Sequence, residues 1–509
     1  MTRRSRATLA GLAGGAVALA SAEFVAAVTD ALSPLDAVGA VVIDLAPAGV
    51  RESVIRWFGT ADKLFLRVMT LVVLGAVAAL LGWRATTRRS TLVAGFAAVA
   101  VAGAVAVVDR PGAVAGSLVA IVLGTALGTR VALALTPRPL PGGVTEMPHE
   151  SRAPRDGDRR QFLGFAGALA AATLMGGLTA AMRRRREAEA VEDATWMIPD
   201  APEVEEWGPI PSSAEIHPTA PFVTPADDFY RIDTALSLPR TTLDSWRLRV
   251  GGMVATPVEL SYLDLLDMPQ VERVITLCCV SNEVGGRYVG NAVWRGVPLA
   301  DVLALAGVDP EAEQVFSTSL DGWTCGFPVE VALDGRDALV ALGMNGDLLP
   351  LEHGFPARLV VPGLYGYVSA TKWLDRIDLT TWDDEGYWVP RGWARLAPVK
   401  TQSRIDVPRR GDDLTAGRQA IAGVAWAQHR GISEVEVSID GGEWRAARLG
   451  TDVSVDAWRQ WVVEWDATPG EHEIRVRATD GEGQTQPEER TPVAPDGATG
   501  WHTVRVRVT

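Results

Sequence analysis

Five apolar runs dominate the first third of the chain, at roughly residues 7–29, 64–83, 91–108, 112–135 and 162–182. Each approaches the length a helix needs to cross about 30 Å of hydrocarbon, so the pattern predicts an N-terminal all-α bundle of five transmembrane helices. The stretch from Ser33 to Val50 is broken by Pro34, Asp36, Asp44 and Pro47 and reads as an interfacial or re-entrant piece, not a sixth span. Residues 1–187 form this region. A charged and then Pro-rich segment without hydrophobic periodicity follows and predicts a linker over 188–220. Between 221 and 393 short strands and helices alternate, an α+β pattern: WRLRVGGMV and QVERVITLCCV read as strands, LADVLALAGV as a short amphipathic helix, and ARLVVPGL as a buried strand ended by Pro362 and Gly363. From 394 to 509 only strands remain. SEVEVSIDGGEW, HEIRVRATD and TVRVRVT repeat a period of two, with a turn at Asp440 to Gly442, and predict an all-β sandwich of immunoglobulin type without that fold's cysteine pair.

Charge divides the chain in the same place. Residues before 191 hold 21 Lys and Arg against 13 Asp and Glu, a charge of +8, and the remaining 27 and 49 give −22. The first half suits a membrane, whereas the acidic second half suits a soluble domain and argues against nucleic acid as a partner. Arg3, Arg4 and Arg6 precede the first run, Arg84, Arg88 and Arg89 follow the second, and Arg152, Arg155, Arg159 and Arg160 precede the fifth. Cationic flanks face the cytoplasm, so the pattern predicts a multi-pass protein of the cell membrane with its soluble half extracytoplasmic. Arg183 to Arg186 run against that rule. DRRQFLGFAGALAAATLMGG (158–177) is similar to a twin-arginine export signal placed internally, or is an ordinary basic flank of a membrane helix. No small-residue cleavage site stands out, and the helix is expected to stay as an anchor.

Candidate chemistry lies in two islands about 70 residues apart, TLCCVSNEVGG (276–286) and HGFPARLVVPGLYGYVSATKWL (353–374). The first offers a thiol in a glycine-rich turn; the second offers His353, Arg358 and Lys372. Zinc would want four ligands at short spacings, and none occur here. A single thiolate prefers a soft or high-valent metal, while Arg and Lys suit a phosphate. Regular strand backbone turns only one of two adjacent cysteines into a site, leaving Cys278 as buried structure, and a disulfide between the neighbours would be strained. Taken singly, Cys279 also reads as a small buried hydrophobe, Arg358 as a surface ion pair, and Gly285 and Gly286 as a plain turn.

These residues, with WRGVPL (294–299) and MNGDLLPLEHGFPARLVVPG (344–363), resemble the sulfite oxidase family of molybdenum-cofactor enzymes across roughly residues 220–509. The resemblance implies Mo-molybdopterin as cofactor and Cys279 as metal ligand and catalytic thiolate, in the frame Leu277, Cys279, Asn282. It implies pterin and phosphate contacts from Asn282, His353, Arg358, Ser369, Thr371 and Lys372, and from Asp227, Tyr230 and Arg231 in TPADDFYRID (224–233). It also implies that the last domain is a dimer-forming module. The chain departs from the animal and plant enzymes twice, with Ile232 and Asp233 where they carry Asn-His, and with Glu283 where they place a substrate-holding arginine soon after the cysteine. A carboxylate there would repel sulfite. Tyr365, Tyr367, Trp323 and Trp388 are candidates to line the approach to the metal, or core packing.

No CxxCH haem site or cysteine cluster is present, and the first 148 residues hold no histidine, so the spans bind no bis-histidine haem. Electrons must then pass to a separate carrier, a cytochrome or a quinone. Glu23, inside the first run, is either an intramembrane functional site or a group wetted at the interface. The expected activity is two-electron oxygen-atom transfer on a small-molecule substrate. A reductase of S- or N-oxides, such as oxidised methionine, and a cofactor-free binding protein on the same scaffold remain as alternatives.

Overall fold

The computed structural model describes residues 2–47, 50, 54, 57–58, 62–108, 110, 115–137, 156–196, 204–205, 220–239 and 241–509. They fall into two compact units, Met1–Glu192 with Thr234–Ser237, and Asp193–Asp233 with Leu238–Thr509.

The first unit is helical: α1 (Arg3–Val28), α2 (Pro34–Leu45), α3 (Asp62–Arg84), α4 (Ser90–Val108), α5 (Ala115–Leu135) and α6 (Asp156–Trp196). Five of these are long and apolar enough to cross a membrane, and they coincide with the five runs read from sequence. The exception is α2. Its 12 residues, started by Pro34 and capped by Ser33, whose Oγ accepts from the Asp36 amide, are too short to span. α6 continues as helix to Trp196, past the start of the predicted linker; most of the remaining linker, and Arg152 and Arg155 of the basic flank, lie outside the described residues.

Small residues bring these helices together. A Cβ on Gly14 would lie 2.5 Å from the Ala132 Cβ, one on Gly124 2.4 Å from the Ala18 carbonyl, and one on Gly11 2.1 Å from the Ala78 carbonyl, so α1 packs backbone-close on α5 and α3. Large apolar side chains such as Val72, Val105, Val122 and Leu174 point outward instead. That inversion suits lipid.

In the second unit, one sheet has the spatial order Val204–Glu205, Gln270–Cys278, Val289–Pro298, Leu339–Met344, Arg358–Val360, with Asp347–Leu348 paired to Leu339–Met344. A second runs Val258–Ser261, Arg247–Gly252, Leu374–Thr380, Gln314–Ser319, Thr324–Pro328. Their shared core includes Trp246, Trp294, Tyr262, Phe327 and Leu359. The predicted short helix is Leu299–Ala306.

The C-terminal region has a four-stranded sheet (Gln402–Val407, Gly417–Trp426, Arg459–Ala467, Arg448–Leu449) and a five-stranded sheet (Asp413–Leu414, His502–Val508, Gly470–Asp480, Ile432–Ile439, Arg445–Ala446). They share a core of Ile421, Val435, Val437, Trp461, Ile474, Val476 and Val504. The turn after Ile439 puts Asp440 and Gly441 at φ +53° and +70°, the positive-φ pair of a type I′ turn closed by the Gly442 amide on the Ile439 carbonyl at 2.9 Å.

This region also grips the strand leading to Cys279. The Trp458 amide donates to the Thr276 hydroxyl at 2.7 Å, the Gln428 amide nitrogen to the Thr276 carbonyl at 2.7 Å, and the Thr276 amide to the Asp456 carbonyl at 2.9 Å.

Candidate active site

Cys278 is the last residue of its strand, and Cys279 begins the loop beyond it. Cys278 is buried in the core and Cys279 retains 7% exposure; all three cysteines of the chain are free. Burial pushes both neighbouring thiols up. The loop closes on itself, since the Cys279 amide donates to the Tyr288 carbonyl at 2.9 Å, the Asn282 amide to the Cys279 carbonyl at 3.0 Å, and the Tyr288 amide to Asn282 Oδ1 at 2.8 Å. Asn282 is thereby a buried splint of the loop, with its side-chain amide against the buried Cys278 thiol. Gly285, at φ +78°, holds a conformation that glycine tolerates.

The second island is drawn tight by Gly354. At φ +116°, a Cβ there would lie 3.1 Å from Arg358 Cβ and from Lys372 Cα, so only glycine lets His353, Arg358 and Lys372 converge. Arg358 is 5% exposed, with Nη1 on the His353 carbonyl at 3.0 Å, longer contacts to Leu359 and Ala370 carbonyls, and its guanidinium 4.9 Å from the Trp294 ring. No carboxylate among the described residues forms an ion pair with it, and burial lowers its pKa to about 10. A buried guanidinium served by carbonyls alone is electrostatically uncompensated and calls for an anion.

Lys372 departs from the expectation of a free phosphate cation. Its Nζ lies 2.6 Å from Asp233 Oδ2, which Arg231 Nε also reaches at 3.0 Å. Asp233, noted in the sequence only as a departure, is the carboxylate that bridges two expected phosphate contacts. Ser369 and Thr371 are fully buried with hydroxyls turned inward, onto the Tyr365 carbonyl and onto Ser317 and Cys325; a hydroxyl contact to a ligand would need them to turn, so main-chain contact is the geometry they offer.

His353 Nε2 donates to the Ala226 carbonyl at 2.8 Å and, with Phe229 edge-on to its ring, fixes the turn that carries Asp227 and Tyr230. Burial holds its pKa down to about 4, so the ring is neutral. Asp227 is exposed. Tyr230 is half-buried, and its phenol is raised by burial and by Cys279 and Cys278 and lowered by Arg358. Glu283 is exposed, so water screens its charge and the sequence argument against sulfite weakens.

Tyr365 is buried, kept protonated by burial, and accepts from the Lys400 amide at 3.4 Å; Tyr367 donates to the Ala394 carbonyl at 2.5 Å, and Trp388 packs against Tyr387 and Trp393. Trp294 was visible only as part of a motif, and its support of Arg358 appears when its strand pairs with Leu339–Met344. A cavity of about 360 Å³ lined by Phe327, Arg336, Gln428 and His429 contains none of the expected site residues.

The residues fit a molybdopterin. No group of three or more His, Cys, Asp or Glu able to hold a metal occurs among the described residues. Arg358, buried and met by carbonyls without a carboxylate, offers a cation for the anionic groups of such a cofactor.

The family model for the oxidoreductase molybdopterin binding domain matches residues 235–388, and that for the Mo-co oxidoreductase dimerisation domain matches 396–509. Sulfite oxidase of Gallus gallus is 30% identical over 323 residues, covering 53% of this chain and 70% of that protein. Mitochondrial sulfite oxidase of Homo sapiens is 30% identical over 354 residues, 58% of this chain and 64% of that one, so the chain spans about two thirds of the human enzyme's length. Among solved structures, the sulfane dehydrogenase SoxCD from Paracoccus pantotrophus is 27% identical over 56% of this chain and 81% of that chain, with a TM-score of 0.48. This chain belongs to the sulfite oxidase family of molybdenum-cofactor oxidoreductases. The cofactor this implies is Mo-molybdopterin.

Proposed function

We propose that the chain is a membrane-anchored, extracytoplasmic oxidoreductase that performs two-electron oxygen-atom transfer on a small substrate, with Cys279 as its one protein ligand to the metal. The observation that carries this reading is Arg358, a buried guanidinium met by carbonyls and by no carboxylate among the described residues, in the same domain as the nearly buried Cys279 thiol. Bound there, the cofactor would supply a metal that changes oxidation state by two while an oxygen atom moves to or from the substrate. The protein's part is placement. Asn282 holds the thiol's loop, and Arg358, with Trp294 beneath it, offers charge to the anionic tail. Lys372 and Arg231 share Asp233, which tempers their charge, and His353 holds the segment of Asp227 and Tyr230. Ser369 and Thr371 would contribute main-chain contacts. Burial keeps the protons on Tyr230 and Tyr365.

Three ion pairs support the orientation. Glu23 near the end of α1 pairs with Arg183 of α6 at 2.7 Å, Asp36 with Arg67 at 3.0 Å, and Asp44 with Arg110. The predicted topology puts all three at the outer ends, where an arginine that breaks the positive-inside pattern is neutralised by a carboxylate. Glu23 also accepts from Ser33 Oγ and the Leu35 amide, so it fastens α2 instead of serving a transport path.

We read the domains as 1–187, 188–220, 221–393 and 394–509, the last an immunoglobulin-like sandwich that pairs two chains. A separate cytochrome or quinone would exchange the electrons.

Elemental analysis tests the core of this reading. About one molybdenum per chain supports it, and none after growth with molybdate supports a cofactor-free binding protein. Sulfite with an artificial acceptor, and sulfoxides with reduced viologen, would separate oxidase from reductase.

A further inference from the structure

The loop that presents Cys279 is gripped from outside by the C-terminal region. Arg404, on the strand Gln402–Val407, donates from Nη1 to the Gly286 carbonyl at 3.1 Å, while its Nε and Nη2 fork onto Asp406 at 2.6 and 3.4 Å. Its side chain is 12% exposed. His502, at the head of the last strand, accepts the Ile405 amide on Nδ1 at 3.0 Å, which fixes its ring, and the ring's other edge abuts Gly285. A Cβ on Gly285 would lie 2.2 Å from His502 Cδ2 and Nε2. On the inner side, a Cβ on Gly286 would lie 2.5 Å from Asn282 Oδ1, the same oxygen that ties Tyr288 to the loop.

We propose that Arg404 and His502 are positioning residues for the Cys279 thiolate: the C-terminal sandwich clamps Gly285 and Gly286 against Asn282, and the clamp sets where the sulfur points. The two glycines are there because the histidine ring and the Asn282 oxygen come within the radius of a methyl group. Asp406 orients the guanidinium so that one nitrogen is left for the Gly286 carbonyl. Removing that donor frees the loop without touching the cofactor contacts. This inference rests on Cys279 being the metal ligand.

The test uses the full-length chain as wild type, Arg404→Ala, Arg404→Lys, Gly285→Ala and the double variant Gly285→Ala with His502→Ala. In protein made without molybdate, the rate of iodoacetamide alkylation at Cys279 is read by mass spectrometry. In loaded protein, molybdenum content, the metal's electron paramagnetic resonance signal, and KM and kcat are read.

Arg404→Ala is expected to raise alkylation about five- to tenfold, the size of one ordinary lost hydrogen bond, and to shift the resonance signal while metal content stays near wild type. Lys should recover part of both. Gly285→Ala should act in the same direction, with part of its effect relieved by His502→Ala. Alkylation rates and resonance signals unchanged in both Arg404→Ala and Gly285→Ala would overturn the proposal and leave a mere domain stitch. Wild-type protein that never takes up molybdenum would instead defeat the metal-ligand reading, while the alkylation rates would still judge the clamp.

Discussion

Arg183 in the helical unit is partly exposed and Arg358 in the sheet-rich unit is buried, and the fold treats the two cations oppositely. Arg183 meets Glu23, which lies 12% exposed and gathers two more donors from Ser33 and Leu35. Arg358 meets carbonyls and an indole ring. A cation whose task is to fasten helices is stabilised by an anion of the same chain, because an unanswered charge in a poorly polar medium costs several kcal/mol. Arg358 has no such anion among the described residues, and the fold carries that cost. Lys372 lies between the extremes, paired with Asp233 at 2.6 Å.

The largest expected effect is at the thiol. Cys279→Ala should remove all measurable turnover in whichever direction the enzyme runs, with the melting temperature changed by only a few degrees, since the side chain is small and at the edge of the core. Retained activity would break the whole reading of this region.

Next in size, the two arginines should respond with opposite signs. Arg358→Met should abolish molybdenum retention yet stabilise the cofactor-free protein by about 1–2 kcal/mol in thermal unfolding, because a buried charge is exchanged for apolar volume. Arg183→Met should instead destabilise the protein in detergent by about 1–2 kcal/mol, discounted for its partial exposure, with Glu23→Gln in the same chain restoring most of it. Equal signs would erase the contrast.

A pH titration sharpens it. His353 is neutral in the fold with a pKa lowered from 6.5 to about 4, so the unfolded chain binds the extra proton first. Its contribution is fully present above pH 6.5 and is lost as pH falls toward 4, on the order of 3 kcal/mol. His502, also lowered to about 4, titrates in the same window. His353→Gln should therefore flatten only part of the slope, measured as denaturant midpoint against pH. The smallest effect is expected at Gly354→Ala, where strain at φ +116° should cost about 1 kcal/mol and weaken cofactor retention, read by thermal unfolding and metal content.

Much of this protein was legible along the chain. Runs of 19 to 26 apolar residues state their own length against a bilayer, and alternation of period two states which strand faces are buried, because both signals are local. Cys279, Arg358 and Lys372 stood out because motifs of rare chemistry keep their spacing in one dimension. Contacts between distant segments decided the rest. Glu23 lies 160 residues from Arg183, Asp233 lies 139 from Lys372, and Gly286 lies 118 from Arg404. Glu283 reads as a charge in the pocket until the loop's turn exposes it. Charge complementarity and clamp contacts depend on which surfaces the fold apposes, and a linear pattern holds residue types and spacings but no such apposition. The sequence alone thus determined the long apolar helices, the strands and the chemical inventory of the candidate site, while tertiary packing decided which cations are answered, which one is left open, and what packs against the Cys279 loop.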